Sequence, residues 1–181
     1  MGYPSEKYFD ITYVERTKEI LDEYKGKYDF TMLINCLLGL IILPNEYNMQ
    51  DKREFNFDFL EQKVLYFPKI KNIFKNATEK LRNEKGKEFD QRKFLWISKS
   101  GNEMSIDDIK LSELINRIRH GFAHMNITPT KDGDYWAGIR VRNYPDENKP
   151  EYFNFEVYFT QSELYDFAVF IAEKYIATVK K

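Results

Sequence analysis

The sequence predicts a mainly α-helical bundle with an antiparallel β-hairpin inserted before the C-terminal helix. Apolar residues recur at helical spacing in four segments before residue 125, and between about 135 and 159 the apolar period drops to two. Directly after that stretch, Thr160-Gln161-Ser162-Glu163 forms a T-x-x-E capping box that reopens a helix.

The first helix carries Val14, Thr17, Ile20, Leu21 and Tyr24 on its inward stripe. The second is the run Phe30 to Leu43, apolar all round, with Asp29 as the expected N-cap and Pro44 closing it. At 14 residues it is too short for a bilayer, which asks for about 20, so it reads as a buried helix. A third helix follows Pro68, with Ile70, Ile73, Phe74, Ala77 and Leu81 inward. A fourth is expected to open at Ser105, where S-I-D-D resembles a capping box, and to run to about His124 over the stripe Leu111, Leu114, Ile115, Ile118 and Phe122.

The period-2 stretch sets Ala137, Ile139 and Val141 against Gly138, Arg140 and Arg142, and Phe153, Phe155, Val157 and Phe159 against Asn154, Glu156 and Tyr158. Turn residues YPDENKP separate the two, and Lys131-Asp132-Gly133-Asp134 is positioned to turn one further short strand into the hairpin. The last helix turns Leu164, Phe167, Ala168, Ile171 and Tyr175 inward. Residues 45–62 and 83–104 carry no readable pattern.

A chain of 181 residues, 43% hydrophobic and 31% charged, is expected to be one domain, 1–181, large enough for a core without staples. The single cysteine, Cys36, excludes an internal disulfide framework and a C-x-x-C metal knuckle. The start MGYPSEKYFD lacks a signal pattern, and Glu6 stands where N-myristoylation asks for Ser or Thr, so a cytoplasmic protein without membrane attachment is expected. The net charge of -1 excludes a generically basic nucleic-acid coat. Charge is nevertheless uneven: residues 63–87 hold eight basic against two acidic side chains (Lys63, Lys69, Lys71, Lys75, Lys80, Arg82, Lys85 and Lys87 against Glu79 and Glu84). That block is either a solvated helix face or a flank that attracts phosphate.

His120 and His124 are the only histidines, so imidazole chemistry must come from N-R-I-R-H-G-F-A-H, residues 116–124. At about 100° per residue, Asn116, Arg119, His120, Ala123 and His124 fall on the arc opposite the Leu111 stripe. This polar wall has several readings. It is the solvent side any helix needs, with basic residues favoured in a last turn. It is a metal site, although the Glu of H-E-x-x-H and a third His are missing, so no resident metal or cofactor is expected. A Cys36–His nucleophile is a further reading, opposed by the apolar, cation-free surroundings of Cys36. Or it does phosphate chemistry: Arg offers a planar fork to phosphate oxygens, and His exchanges protons near physiological pH.

The motif R-H-G-F-A-H places four residues between Arg119 and His124, and this resembles the signature of the HEPN (higher eukaryotes and prokaryotes nucleotide-binding) domains, Arg, four to six residues, then His near a helix end. The lead-in LxxLINRIR, the exit GFAH and the earlier NCLLGLIILP also resemble a bacterial subgroup with a hairpin before the last helix, over roughly residues 28–178. The resemblance implies a HEPN-like bundle acting on RNA rather than DNA as a metal-independent endoribonuclease, in a toxin or phage-defence setting, with an antitoxin or defence-system partner. It implies Arg119 and His124 as catalytic residues, with Asn116, His120 and Asn126 assisting or binding RNA. It implies also a homodimer, because residues five apart point about 140° away from each other on a regular helix and paired HEPN domains line one cleft together; Gly121 and the helix end offer distortion as a second relief. The alternatives are a non-catalytic module binding RNA, a nucleotide or a partner protein, and a purely structural bundle. Two departures stand out: His120 occupies a place where the family commonly has Asn, and Asn126 one where members modified by a nucleotidyltransferase antitoxin carry Tyr.

Overall fold

The computed structural model describes residues 9–26, 29–44, 57–74, 94–132, 134–145 and 153–180. Helices predominate, with one four-stranded antiparallel sheet in the order β1-β4-β3-β2. The chain divides into two compact units, one of residues Met1–Glu61 with Tyr165–Lys181 and the other of Gln62–Leu164.

In the first unit, α1 (Phe9–Glu23) buries Val14, Thr17 and Leu21 at i, i+3 and i+7. Ile20, expected inward, is 53% exposed, because it lies about 100° round the helix from Leu21 and off that stripe. Asp29 is the first residue of α2 (Asp29–Leu37), where its carboxylate meets the positive end of the helix dipole. α2 then widens into a π-turn over Leu38–Ile42. At Gly39 a Cβ would come within 2.6 Å of the Thr17 hydroxyl and 2.8 Å of the Tyr13 ring, so glycine is what lets the turn approach α1. The apolar run is buried as expected, through Leu33, Cys36, Leu37, Leu40 and Ile41. A short helix, α3 (Asp58–Glu61), lies in a stretch without sequence pattern. Before it Phe57 stacks flat on Tyr175, centroids 5.0 Å apart.

In the second unit, α4 (Pro68–Phe74) starts at its proline and buries Ile70, Ile73 and Phe74. Ala77, Leu81 and the basic positions 75, 80, 82, 85 and 87 lie outside the described residues. The segment expected as one helix from Ser105 is two elements. Ser105 does cap, its hydroxyl accepting the Asp107 N–H at 3.3 Å, but it caps a single 3-10 turn, Ile106–Asp108. The helix proper, α5, runs Leu111–Ala123. Between them Ile109 and Lys110 stay extended because the neighbouring segment claims their backbone: Ile109 O accepts the Val64 N–H at 2.8 Å, and Gln62 O accepts the Leu111 N–H at 2.9 Å. Glu113 then caps α5 by accepting the Lys110 N–H at 3.1 Å.

The hairpin consists of β3 (Tyr135–Asn143) and β4 (Phe155–Thr160), in a register that puts Ile139 opposite Phe159 and Val141 opposite Val157. β2 (Ile127–Asp132) is the further strand expected from the K-D-G-D turn, and Pro129 is tolerated because β2 is an edge. β1 (Phe94–Trp96), from a stretch without pattern, pairs with β4 on the other edge. The box at Thr160 forms reciprocally, Thr160 N–H to Glu163 Oε2 at 2.9 Å and Glu163 N–H to Thr160 Oγ1 at 3.2 Å, and opens α6 (Gln161–Val179). All five residues expected inward on α6 are buried.

Candidate functional site

Helix α5 is built with two unlike sides. Leu111, Leu114, Ile115 and Ile118 are buried, while His120, Ala123 and His124 are exposed, with Asn116 and Arg119 half-buried between. The wall expected opposite the apolar stripe is therefore present. The imidazoles of His120 and His124 lie one turn apart with centroids at 6.2 Å and planes 19° from parallel. Arg119 precedes this pair on the same arc. The other arginine of the motif, Arg117, faces the sheet: its guanidinium lies over the Trp96 ring at 4.9 Å, and burial pushes its pKa down against the opposing charge of Glu113.

The helix stays regular through Gly121, so that glycine does not kink the site. Its purpose is contact. A Cβ there would meet Val141 Cγ1 at 2.2 Å and the Arg142 carbonyl oxygen at 3.1 Å, so glycine is what allows α5 to lie directly on β3. One turn above, Asn143 of β3 donates from Nδ2 to the Arg117 carbonyl oxygen at 2.7 Å.

His124 is the C-cap, with φ -97° and ψ 11°. The helix ends in a Schellman arrangement, Asn126 N–H to Gly121 O at 2.8 Å and Met125 N–H to Phe122 O at 3.1 Å. This puts Met125, 75% exposed, at φ 54°, a position usually held by glycine. Asn126, expected to assist or bind RNA, has its backbone committed to this ending and to β3, since its carbonyl accepts the Arg142 N–H at 2.9 Å. Helix end and strand start are thus one continuous hydrogen-bonded unit, with His124 at the corner.

On the other face of the sheet, Glu156 is buried opposite Arg142, its carboxylate accepting from the Arg142 Nε, with Arg140 Nε at 3.7 Å. Two guanidiniums compensate one buried carboxylate, and the outward register of Arg140, Arg142 and Glu156 was visible in the alternation. Asn143 and Trp96 were missed as site neighbours. Asn143 continues the inward register of Ile139 and Val141, where a polar side chain signals a built hydrogen bond. Trp96 belongs to the apolar run Phe94-Leu95-Trp96-Ile97, which at four residues is too short for its spacing to distinguish a buried strand from a buried helix segment.

Cys36 is buried and burial pushes its thiol up, the opposite of what a nucleophile needs. Among the described residues, no group of three or more His, Cys, Asp and Glu side chains comes together to hold a metal ion. Among them, too, no helix is long and apolar enough to cross a membrane.

The family model HEPN pEK499 p136 matches residues 1–181, the whole chain. The protein belongs to the HEPN family. Membership agrees with the helical architecture carrying strands before the last helix, and it places the chain among domains of nucleotide- and RNA-related function. No curated protein and no solved structure shows significant similarity to this HEPN chain.

Proposed function

We propose that this HEPN protein is a metal-independent endoribonuclease, and that both units act as one domain, since one family model spans them. The observation that carries the reading is the pair of imidazoles held side by side on the exposed face of α5, with Arg119 on the same arc. The ribose 2′-OH attacks the adjacent phosphorus as a base takes its proton. The new 2′-O–P bond forms, the P–O5′ bond breaks, and the leaving 5′ oxygen receives a proton. His124 is the general acid or base of this exchange, and Arg119 stabilises the charge that builds on the phosphoryl oxygens. Asn116, His120 and Asn126 orient the RNA strand or assist, Asn126 from the residue whose backbone also closes the helix end. The protein works in the cytoplasm as a homodimer, in a toxin or phage-defence setting with an antitoxin or defence-system partner, a context that rests on family resemblance.

Incubation of the pure protein with labelled mixed RNA tests this directly. The expected products end in a 2′,3′-cyclic phosphate and a 5′-hydroxyl, 2′-deoxyribose at the cut blocks the reaction, and EDTA leaves the rate intact because no step uses a metal. Binding of RNA, nucleotide or protein without turnover would replace the enzyme by a non-catalytic module. Loss of activity in EDTA, restored by one divalent ion, would defeat the Arg/His mechanism.

A further inference from the structure

We propose that Asn143 is a positioning residue for the face of α5 that carries Arg119, an inference resting on the ribonuclease reading above. Asn143 is 6% exposed at the end of β3, in inward register directly opposite Phe155, and Phe155 in turn pairs with Trp96 on β1. These three residues form one row across the sheet, and Arg117 touches both of its ends. Its carbonyl oxygen accepts from Asn143 Nδ2 at 2.7 Å and its guanidinium lies over Trp96 at 4.9 Å. The Asn143 amide also borders Gly121, its Oδ1 3.6 Å from where a Cβ would stand.

The turn between Arg117 and Gly121 is therefore pinned at both ends to the same strand end. Arg119 is midway between the two pins, about 200° round the helix from each, so it points away from the sheet along a direction those pins set. His124 is referenced to the same place, because the next residue of β3 toward its start, Arg142, donates its N–H to the carbonyl of Asn126, whose own N–H closes the helix on Gly121 O. A side-chain amide is needed for the Asn143 pin, since the Arg117 carbonyl lies within a regular helical turn and asks for a second donor approaching from the side. An aspartate of the same shape would set a carboxylate oxygen against that carbonyl and push the turn off its seat.

The test compares Asn143→Asp and Asn143→Leu with Val157→Ala, a core truncation on β4 that makes no polar contact with α5. Cleavage of labelled RNA is followed under saturating and limiting substrate, at a temperature well below each melting midpoint. Either Asn143 variant is expected to lose kcat by about tenfold or more with KM within about twofold, since small misplacements of catalytic groups cost up to about 100-fold. Val157→Ala should keep kcat at an equal or greater loss of melting temperature. The proposal fails if a folded Asn143 variant keeps wild-type kcat, or if kcat falls equally in Val157→Ala, which would make Asn143 merely structural. If one Asn143 variant does not fold, the other decides. An inactive wild type, by contrast, defeats the ribonuclease reading, and this inference with it.

Discussion

At the scale of single residues, the chemistry turns on which of the polar side chains of α5 face outward. Arg117 and Arg119 are only two apart, and at about 100° per residue the helical wheel puts Arg119 but not Arg117 on the polar wall. The packing separates them: Arg117 is half-buried over Trp96, whereas Arg119 belongs to the arc shared with the two imidazoles. Changing Arg119 or His124 to Ala should accordingly lower cleavage by about 10² to 10⁴-fold, with the circular dichroism spectrum and melting temperature unchanged, because neither supports the Leu111 stripe. Arg119→Lys should recover little, since an ammonium keeps the charge but loses the planar fork. His120→Ala should cost less than either. Full activity in His124→Ala would show the assignment to be wrong even with the HEPN fold right. A second residue-scale prediction concerns Tyr165, whose hydroxyl donates to Asp22 Oδ1 at 2.7 Å. That hydrogen bond, with burial adding to it, pushes the Tyr165 pKa up to about 12, while the Asp22 carboxyl, despite the opposing effect of burial, is held below its ordinary value by hydrogen bonds from Lys18 and Tyr165 and by the charges of Lys18 and Lys25. A group whose folded pKa is raised contributes stability below its unfolded pKa, about 10 for Tyr, and loses that contribution as pH climbs through the folded value. Wild type should therefore exceed Tyr165→Phe in urea stability by about 1 kcal/mol at neutral pH, a margin that disappears between about pH 10 and 12. A margin constant across that window would mean the bond is not what Tyr165 contributes.

At the scale of elements, the contact of α5 with β3 holds the site together, and Gly121 makes it possible. Gly121→Ala should destabilise the fold by about 1–3 kcal/mol, because its Cβ falls on Val141 Cγ1 and overpacking at a close contact forces backbone shifts. The double variant with Val141→Ala, read by chemical denaturation, should recover part of that loss through the coupling expected of touching residues. Strict additivity would place the strain elsewhere. Much of this scaffold could be read from the chain. The period-2 alternation identified β3 and β4 and which of their residues face inward, and the T-x-x-E box marked the start of α6, because local hydrogen bonding and pleat geometry decide both. What sequence could not deliver was set by distant partners. The break at Ile109 and Lys110 exists because Gln62 and Val64 bond the flanking backbone, which overrides a good local capping signal at Ser105. β1 is three residues long and owes its existence to β4. Within the site, the Arg-x4-His spacing and the outward arc were legible, whereas the roles of Asn143 and Trp96 depend on a pairing row that no local pattern encodes.

At the scale of the whole molecule, the i, i+5 relation of Arg119 and His124 bears on how many chains make one site. The helix is regular through Gly121, so distortion there does not bring the two side chains together, and on regular geometry they diverge by about 140°. A second chain resolves this if the polar faces of two α5 helices meet across a two-fold axis, each helix supplying the residue the other turns away. The expected outcome is a homodimer by light scattering, and it has a sharper kinetic consequence. Arg119→Ala and His124→Ala chains, each inactive alone, are co-expressed with different tags so that they assemble randomly. Half of the dimers are then mixed, and in each mixed dimer one site carries both changes while the other draws its Arg from one chain and its His from the other, intact. Total activity should return to about a quarter of wild type, and to about half in dimers purified through both tags, given one intact site of two. Doubly tagged dimers without activity would mean that each chain builds its site alone, and a monomer at working concentration would remove the composite site altogether.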